Sequence, residues 1–348
     1  MAAEVVSNKQ IILPKFINGG LPKESDLVVE TSSIALKLPE GSKAVLVKNL
    51  YFSCDPYMRS QLEKIEDLEA EVQSFIPGAP IYSVTVGKVL ESGNPDFSTG
   101  DIVWGMCPWQ EYSIIEPPHH TLWKAAFTDI PLSYYTGILG IIGLTAWAGL
   151  HEIGAPKEGE KVYVSAASGA VGQLVGQFAK IAGCYVVGSA GSAEKVELLK
   201  TKFGYDEAFN YREEKDLGAA LAKYFPSGID VYFDGVGGKM LDAVLLNMNL
   251  HGRIVAAGMI SQYNLKEHEG VKNLWNLVTK RVRMEGFSAF QFFHLFPKFT
   301  ELAYKYIKEG KLVYVEDTTE GIENAPAALV GIFRGQNVGK KIVRIASE

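Results

Sequence analysis

The chain has 348 residues, of which 47% are hydrophobic and 21% are charged, and its formal net charge is −6. At about 150 residues per domain, this length predicts two domains, and the apolar fraction is sufficient for two folded cores. The acidic balance disfavours a nucleic-acid surface or a polybasic membrane patch, so we expect neither partner. Three widely spaced cysteines argue against a disulfide framework and indicate a reducing compartment, which we expect to be the cytoplasm; they are Cys54, Cys107 and Cys184.

The first 130 residues contain short β-rich runs separated by glycine, proline and aspartate. These runs cover residues 45–53, 81–93 and 101–116, and they predict a compact β-rich domain. The next stretch, 130–150, is uncharged and long enough to span a bilayer. Because it contains a proline and four glycines, we predict instead a buried helix in a large core. The first ten residues lack the basic-then-apolar pattern of a secretory leader, so we expect none.

Beyond residue 155, apolar runs alternate with helical patterns. The runs are rich in valine and isoleucine without strict alternation, as is typical of parallel strands that are covered on both faces. They cover residues 161–166, 184–190, 207–211, 229–236, 252–261 and 282–290. With helices between them, they predict an α/β fold with an open, doubly wound parallel sheet.

The last part of the chain returns to a β-rich pattern. The segment 296–312 predicts a helix that ends at Gly310, and strand patterns follow at 313–321 and 338–347. These strands need partners, and the β-rich N-terminal part can supply them. We therefore predict that residues 1–132 and 312–348 form one split domain, and that residues 133–311 form the doubly wound domain.

The segment YVSAASGAVGQLVGQFAK predicts a strand, a loop of small residues and a helix. Within it, Ala167-x-Gly169-x-x-Gly172 follows the dinucleotide-binding fingerprint, with alanine at the first glycine position. Gly169 would let the backbone approach a pyrophosphate, and the helix N-terminus would attract the phosphates. Gly172 would allow the helix to pack closely on the sheet. A glycine-rich turn needed only for packing is the alternative, and the series of strands that follows favours a cofactor loop.

The second strand of this series bears on the choice between NAD and NADP. An NAD site usually has an acidic residue about 20 residues after the glycines, where it binds the ribose 2′-hydroxyl. Here the strand continues into Ala190-Gly191-Ser192 without a carboxylate. Lys195 follows one helical turn later, with Ser192 as the expected N-cap. This pattern predicts NADPH as the cofactor; a solvated lysine on the helix surface is the alternative interpretation of Lys195.

Motifs spread over the whole chain are shared with one known family. They include KNLYFSCDPYMRS, VYVSAASGAVGQLVGQFAK, FNYREE, FDGVGGKMLDAVL, GMISQYNL and NVGKK. In these motifs the chain resembles the plant NADPH-dependent double bond reductases, also called 2-alkenal reductases, which are zinc-independent medium-chain dehydrogenases/reductases. The resemblance implies a Rossmann domain, a GroES-like catalytic domain made from both chain ends, and a homodimer. It also implies hydride transfer from NADPH to the β-carbon of a 2-alkenal, a phenylpropenal or a benzalacetone-type enone.

The same resemblance implies roles for individual residues. Tyr263, in GMISQYNL, is the expected catalytic residue, because a neutral phenol can donate a hydrogen bond to the enolate oxygen that hydride addition leaves. From the sequence alone, a buried loop tyrosine is the alternative. The expected substrate-binding residues are Tyr57, Tyr82 and Phe287. The expected cofactor-binding residues are Pro56, Thr145, Gly169, Ala170, Val171, Gly172, Gly191, Lys195, Tyr211, Gly235, Ala257, Met259, Phe287 and Asn337.

The sequence departs from the family pattern around the expected site. Ser83-Val84-Thr85 replaces the usual Gly-Tyr-Gly, so one tyrosine of the cleft is missing, although Tyr82 stands close by. The other departures are Ile141-Ile142 for Met-Pro, Trp147 for tyrosine, Gly235 for asparagine and Ala257 for cysteine. Because they cluster near the expected active site, we expect them to affect the substrate range more than cofactor binding.

No metal site is expected. The chain has no C-x-x-C pair and no Gly-His-Glu triplet, and its histidines stand at positions 119, 120, 151, 251, 268 and 294. We interpret the cysteines as packing residues and the histidines as surface or loop residues. Two other functions stay open: a zinc-independent quinone reductase, against which the setting of Tyr263 argues, and an NADPH-binding protein with little catalysis.

Overall fold

The computed structural model describes residues 4–67, 69, 71–118 and 121–348. The chain forms two compact units: a split unit, Met1–Gly137 with Glu316–Glu348, and a central unit, Ile138–Val315. The boundaries expected from the sequence lie a few residues earlier in the chain.

Side-chain contacts explain where the chain passes from one unit to the other. In the split unit, Ser133 Oγ donates to Glu316 Oε2 at 2.7 Å. In the central unit, Gln177 Nε2 donates to Val313 O at 2.8 Å, and Val313 N donates back to Gln177 Oε1 at 2.8 Å. The side-chain amide therefore pairs with the backbone of Val313 as a neighbouring strand would.

Strands dominate the N-terminal part of the described chain, and helices alternate with strands from α2 to β13. The strands are β1 (Val5–Ile12), β2 (Val28–Ala35), β3 (Val45–Ser53), β4 (Tyr82–Ser92), β5 (Ile102–Pro108), β6 (Tyr112–Ile115), β7 (Leu122–Lys124), β8 (Lys161–Val164), β9 (Tyr185–Ala190), β10 (Glu207–Asn210), β11 (Ile229–Asp234), β12 (Met248–Ala256), β13 (Arg283–Gly286), β14 (Glu316–Glu320) and β15 (Lys340–Arg344). The helices are α1 (Met58–Gln61), α2 (Ile141–Ala148), α3 (Gly172–Ile181), α4 (Ala193–Thr201), α5 (Leu217–Tyr224), α6 (Gly238–Asn247), α7 (Trp275–Thr279), α8 (Phe296–Lys308) and α9 (Ala325–Phe333).

The split unit contains a mostly antiparallel sheet with the order β14-β15-β3-β4-β5-β7, in which β6 also pairs with β3. β15 pairs antiparallel with β3, and Ile342 lies opposite Ser53. The C-terminal strand β15 therefore pairs with a strand of the N-terminal β-rich part. β1 and β2 form a separate antiparallel pair.

The β-rich run 101–116 forms two strands, β5 and β6. The chain turns at Trp109, whose side chain is fully buried and stacks on Phe52 with ring centroids 5.1 Å apart. The indole Nε1 of Trp109 donates to Ser83 Oγ at 2.7 Å, so the polar end of the ring is also satisfied. Burial of this large ring therefore accounts for the interruption of the strand.

The central unit contains a six-stranded parallel sheet with the order β10-β9-β8-β11-β12-β13. This order reverses beside β8, as in doubly wound nucleotide-binding folds, and it confirms the predicted fold class. β12 ends at Ala256, although the predicted run continues to Ser261. The difference arises because the backbone N–H groups that follow bond to carbonyls beyond the end of β11; Ile260 N, for example, donates to Gly235 O at 3.1 Å.

The uncharged stretch 130–150 is largely buried, as predicted, but it does not form one helix. It contains a 3₁₀ turn, Leu132–Thr136, followed by α2, and a π-helical turn, Gly149–Gly154, continues α2. Gly137 and Gly140 have non-helical backbone angles and separate the first two segments. Among the residues that the structure describes, no helix has the length and apolar character needed to cross a membrane.

Candidate active site

The loops that follow the parallel strands lie side by side at the carboxyl edge of the central sheet. In doubly wound sheets, ligands bind at this edge. The loop segments are 165–171 after β8, 191–192 after β9, 211–216 after β10, 235–237 after β11, 257–263 after β12 and 287–288 after β13. Tyr263 and most of the expected cofactor-binding residues lie on these segments, so the fold brings residues that are distant in sequence to one edge.

In the loop after β8, the residue with a left-handed backbone lies one position before Ala167, which occupies the first glycine position of the fingerprint. Ala166 has the left-handed backbone, with φ of 47°, while Ala167 is buried. A Cβ at Gly172 would lie 2.6 Å from Ala166 O, so only glycine lets α3 begin this close to the loop. Gln173 N and Leu174 N already donate to Gly169 O and Val171 O, at 3.0 Å each, and the N-terminal end of α3 carries a partial positive charge. The loop and α3 therefore fit the phosphates of a dinucleotide.

Tyr205 packs against α3 and β9, the elements beside this loop, and sequence reasoning missed it. A Cβ at Gly176 would lie 2.1 Å from the Tyr205 ring, and a Cβ at Gly188 would lie 2.7 Å from it. The phenol fills the room that these glycines leave, and its Oη donates to Gly172 O at 2.7 Å. Gly176 could have indicated this contact, because a glycine inside a helical pattern commonly has a packing reason.

The loops after β9 and β10 meet at Gly191. A Cβ at Gly191 would lie 3.2 Å from Tyr211 Oη and 3.3 Å from Arg212 Nε, so a side chain there would press on both. Ser192 caps α4 by accepting from Lys195 N at 3.4 Å, as predicted. The Lys195 residue is only 9% exposed, so it is not an ordinary solvated lysine. Arg212, which sequence reasoning did not select, adds a cation beside Tyr211.

The loop after β12 carries Tyr263. The Tyr263 Oη accepts a hydrogen bond from Met259 N at 3.1 Å, and this bond leaves the phenol proton available to a ligand. Burial raises the pKa of Tyr263 above its usual value, the Met259 N–H opposes this shift, and the Asp234 charge adds to it. The phenol is therefore neutral near pH 7 and can act as a hydrogen-bond donor.

Three further cofactor predictions fall on the loops after β11 and β12. Gly235 has room for a side chain, because a Cβ there would meet only atoms 4.0 Å away. Ala257 N donates to Asp234 O at 2.9 Å, which places Ala257 where β12 leaves the sheet. Met259 is 37% exposed. The structure thus brings these three residues together with Tyr263.

Phe287 and Thr145 are fixed by contacts inside the central unit. A Cβ at Gly149 would lie 2.5 Å from Phe287 Cζ, so the ring of Phe287 packs on the backbone of the π-helical turn. Phe287 also meets Phe292 edge to face, with ring centroids 6.0 Å apart. The Thr145 hydroxyl donates to Ile141 O at 2.8 Å within α2.

In the split unit, Tyr57 and Tyr82 pack against one hydrophobic cluster. Gln61 Nε2 donates to Tyr82 Oη at 3.1 Å, and the Tyr82 ring meets Phe75 edge to face. Burial raises the pKa of Tyr57 well above its usual value, and the Asp55 and Tyr82 charges add to the shift. We call these side chains, Tyr57, Gln61, Phe75 and Tyr82, the tyrosine cluster. It contains both substrate-binding residues that were predicted for this unit.

The other two predicted residues of the split unit lie outside the tyrosine cluster. Pro56, beside Tyr57 in the chain, is exposed. Asn337 Nδ2 donates to Gly339 O at 2.7 Å, so its side chain holds the turn before β15.

Comparisons with known proteins identify the family. Residues 170–305 match a family described as zinc-binding dehydrogenase, and residues 9–122 match one described as the N-terminal domain of oxidoreductase. The chain is 63% identical to 2-alkenal reductase (NADP(+)-dependent) of Nicotiana tabacum, over 99% of this chain and 100% of that protein. It is 54% identical to (+)-pulegone reductase of Mentha piperita, over 99% and 100% of the two chains. The chain belongs to the double bond reductase family of the medium-chain dehydrogenases/reductases.

A solved structure of this superfamily supports the assignment. The crystal structure of CurA from Vibrio vulnificus, in complex with NADPH, matches with a TM-score of 0.88 and 34% sequence identity. The match covers 98% of this chain and 100% of that chain. The predicted resemblance to the plant double bond reductases is thus confirmed.

This family member also has a buried ion pair next to Pro56 and Tyr57, which sequence reasoning missed. Lys340 Nζ donates to Asp55 Oδ1 at 2.5 Å and to Ser53 Oγ at 2.6 Å. Both charged side chains are 1% exposed. No local sequence pattern indicates this pair, because its partners are separated by 285 positions. The pair fixes the chain immediately before Pro56.

The described residues include no group of three or more His, Cys, Asp or Glu side chains that could hold a metal ion. His119 and His120 lie outside the described residues, so the metal-free site stays a prediction. The cysteines are free and buried, as predicted. Burial raises the pKa of Cys54 and of Cys107 to about 12, so these thiols are poor ligands and poor nucleophiles.

One interpretation of the histidines is wrong. His151 lies in the π-helical turn and is partly buried, and its Nδ1 is 2.9 Å from Trp147 O. Burial lowers the pKa of His151 below its usual value. The apolar stretch on either side of His151 carries it into the core, which its polarity alone does not indicate.

Proposed function

We propose that this chain reduces the α,β C=C bond of unsaturated aldehydes and ketones with NADPH. The observation that carries the proposal is the phenol of Tyr263, whose oxygen accepts from Met259 N and whose proton is therefore left for a ligand. It stands at the sheet edge that binds nucleotides in this fold class. The high identity to a tobacco 2-alkenal reductase and to a mint pulegone reductase supports the same chemistry.

When bound, NADPH supplies the hydride that adds to the β-carbon of the enone. The chain's own residues must then stabilise the negative charge that moves to the carbonyl oxygen. Tyr263 donates its phenol proton as a hydrogen bond to that oxygen, and solvent supplies a proton to the α-carbon. The product is the saturated aldehyde or ketone.

The residues around Gly191 support NADPH over NADH. Residues 190–192 contain no carboxylate that would repel a 2′-phosphate, while Lys195 on α4 and Arg212 on the loop after β10 supply cations. We propose that Lys195 binds the 2′-phosphate, with Tyr211 beside it. The NADP-dependent tobacco relative and the NADPH-bound structure of CurA agree with this choice.

We further propose that the split unit supplies substrate contacts through its tyrosine cluster. The Tyr82 oxygen accepts from Gln61, so its own proton is also available to a polar group of the substrate. Tyr82 precedes Val84 by two residues in β4, so both side chains point to the same face of the strand. Tyr82 thereby offers a phenol on the face where the family's usual tyrosine is absent.

We propose a cytoplasmic homodimer. The free, buried cysteines support a reducing compartment. Two features support a dimer. β13 is the last strand in the order of the central sheet, so one of its edges can pair with another chain. The helix α7 also has exposed apolar side chains. Trp275 is 70% exposed and Val278 is 65% exposed. Light scattering should then give about twice the mass of one chain.

The function is tested by following NADPH oxidation with a small panel of acceptors: a 2-alkenal, a phenylpropenal, a benzalacetone-type enone and a quinone. Product analysis distinguishes reduction of the C=C bond from reduction of the carbonyl. Saturated carbonyl products, with NADPH preferred over NADH, are expected. Turnover of the quinone alone would instead indicate a quinone reductase, and NADPH binding without turnover of any acceptor would indicate a non-catalytic binder.

A further inference from the structure

Asp234, the last residue of β11, is fully buried and holds the turn that follows it. Its Oδ1 accepts from Tyr232 Oη at 2.6 Å, and from Val236 N and Gly237 N at 2.8 Å each. Ser165 Oγ, at the start of the loop after β8, lies 3.5 Å away. The second oxygen, Oδ2, is buried without a hydrogen-bond partner among the described residues. One oxygen of this carboxyl therefore organises the turn 235–237.

The turn 235–237 in turn holds the loop that carries Tyr263. Gly235 O accepts from Ile260 N at 3.1 Å, and Val236 O accepts from Ser261 N at 3.1 Å. Ser261 Oγ also donates to Val236 O, at 2.6 Å. The backbone of the Tyr263 loop is thus bonded to a turn whose own shape depends on the Asp234 side chain.

Close packing leaves little room for the two segments to move separately. A Cβ at Gly237 would lie 2.9 Å from Met259 Cβ, and a Cβ at Gly258 would lie 3.0 Å from Tyr263 Oη. Met259 also donates its N–H to the Tyr263 oxygen. A displacement of the turn would therefore move Met259 and, with it, the phenol.

We propose that Asp234 is a positioning residue for Tyr263, and that it acts through the acceptor oxygen Oδ1 rather than through a negative charge. This inference rests on the proposed function, in which Tyr263 donates to the developing enolate oxygen. Burial raises the pKa of Asp234 above its usual value, although the Tyr232 hydroxyl and the N–H groups of the turn oppose the shift. The unpartnered Oδ2 agrees with a role that needs only one oxygen.

A double-mutant cycle tests the coupling. Asp234→Ala removes the acceptor, and displacement of a catalytic group by about 1 Å can cost about 100-fold in rate. We expect Asp234→Ala to lower kcat about 10- to 100-fold in the native background while the KM for NADPH changes about threefold or less. In the Tyr263→Phe background, the same substitution should change kcat by about twofold or less, because the phenol it positions is already gone.

Asp234→Asn separates the acceptor from the charge. Its amide oxygen can take the place of Oδ1, and we expect kcat within about threefold of the native value. Asp230→Ala is the matched control on the same strand: Asp230 accepts from Lys161 N at 2.8 Å and from Asn249 Nδ2 at 2.6 Å, at the opposite end of β11. It loses comparable hydrogen bonds away from the site, so its kcat should stay native.

Ser261→Ala gives a second measurement if Asp234→Ala does not fold. Ser261 is exposed, and its hydroxyl is one of the bonds between the turn and the loop. A loss in kcat that disappears in the Tyr263→Phe background supports the proposal. An Asp234→Asn variant as slow as Asp234→Ala, or an Asp234→Ala loss that is equal in both backgrounds, overturns it. If Tyr263→Phe alone leaves kcat unchanged, the proposed role of Tyr263 fails instead.

Discussion

The carboxyl edge of the central sheet and the tyrosine cluster of the split unit both hold phenols, but by different means. Tyr263 Oη accepts from the backbone N–H of Met259, four positions earlier in the same loop. Tyr82 Oη accepts from the side chain of Gln61, which lies on α1. At the edge, the backbone and the sheet topology fix the phenol, whereas in the tyrosine cluster one side chain fixes another.

This difference indicates how each region tolerates substitution. A backbone donor persists through most substitutions, so the position of Tyr263 depends on the few residues that shape the turns. A side-chain donor is lost with a single substitution, so the tyrosine cluster can change readily between relatives. The replacement of the usual Gly-Tyr-Gly by Ser83-Val84-Thr85 in β4 agrees with this view. The comparison between the two regions leads to the following predictions.

The largest effect on stability is expected in the split unit. Lys340→Met leaves Asp55 buried without its cation, and breaking a buried pair from one side costs about 3–5 kcal/mol. Lys341→Met is the matched control, because its pair with Asp317 is more exposed, at 14% and 28%, and should cost about 1 kcal/mol or less. The urea midpoint of unfolding, followed by tryptophan fluorescence, measures both. Equal shifts in the two variants would show that the buried pair stabilises the fold no more than the more exposed pair does.

The largest effect on catalysis without a loss of folding is expected at the carboxyl edge. Tyr263→Phe keeps the ring but removes the proposed donor to the enolate oxygen, and loss of one such donor lowers kcat about 100- to 1000-fold. The affinity for NADPH, measured by fluorescence titration, should stay near native. An unchanged kcat would remove Tyr263 from the mechanism.

A smaller effect is expected at the 2′-phosphate. Lys195→Ala removes the cation that we propose binds the 2′-phosphate, and because such a charge-assisted hydrogen bond is worth about 1.5–3 kcal/mol, the KM for NADPH should rise about 10- to 100-fold. The KM for NADH should change little, because NADH lacks the phosphate. Lys200→Ala, on the same helix, removes an exposed lysine paired with Glu207 and should change neither value. Equal losses for both cofactors would contradict the assignment.

The smallest effect is expected at Gly235, where the edge has room for a side chain. Gly235→Asn restores the residue that the family usually has and adds at most one or two hydrogen bonds of about 0.5–1.5 kcal/mol each. We expect the KM for NADPH to fall a few-fold and the thermal midpoint to stay native. Gly237→Ala provides the contrast: with φ of 68° and a Cβ 2.9 Å from Met259, it should lower the midpoint. A midpoint lowered as much by Gly235→Asn would show that position 235 has no spare room.

The sequence predicted some features of the central unit and missed others. Within the central unit, the strand series, the loop at Gly169 and Gly172, and the cap at Ser192 all follow local patterns, and the structure has them in the expected places. Patterns of this kind report on neighbours in the chain. They did not reveal Tyr205, which fills the room between Gly176 and Gly188, because that contact joins separate elements. They also missed the break in 130–150.

The sequence by itself determined the fold class, the position of the small-residue loop after β8 and the family, because periodicity, glycine spacing and motifs are properties of short segments. Only the tertiary structure decided that the Met259 N–H supports Tyr263, that Asp234 holds the turn beside it, and that Lys340 pairs with Asp55. The Lys340–Asp55 pair joins residues that are far apart in the chain, and the other two contacts depend on the conformation of the loops after β11 and β12. Such contacts are set by packing and by the need to satisfy buried polar groups, and neither leaves a pattern in a single sequence.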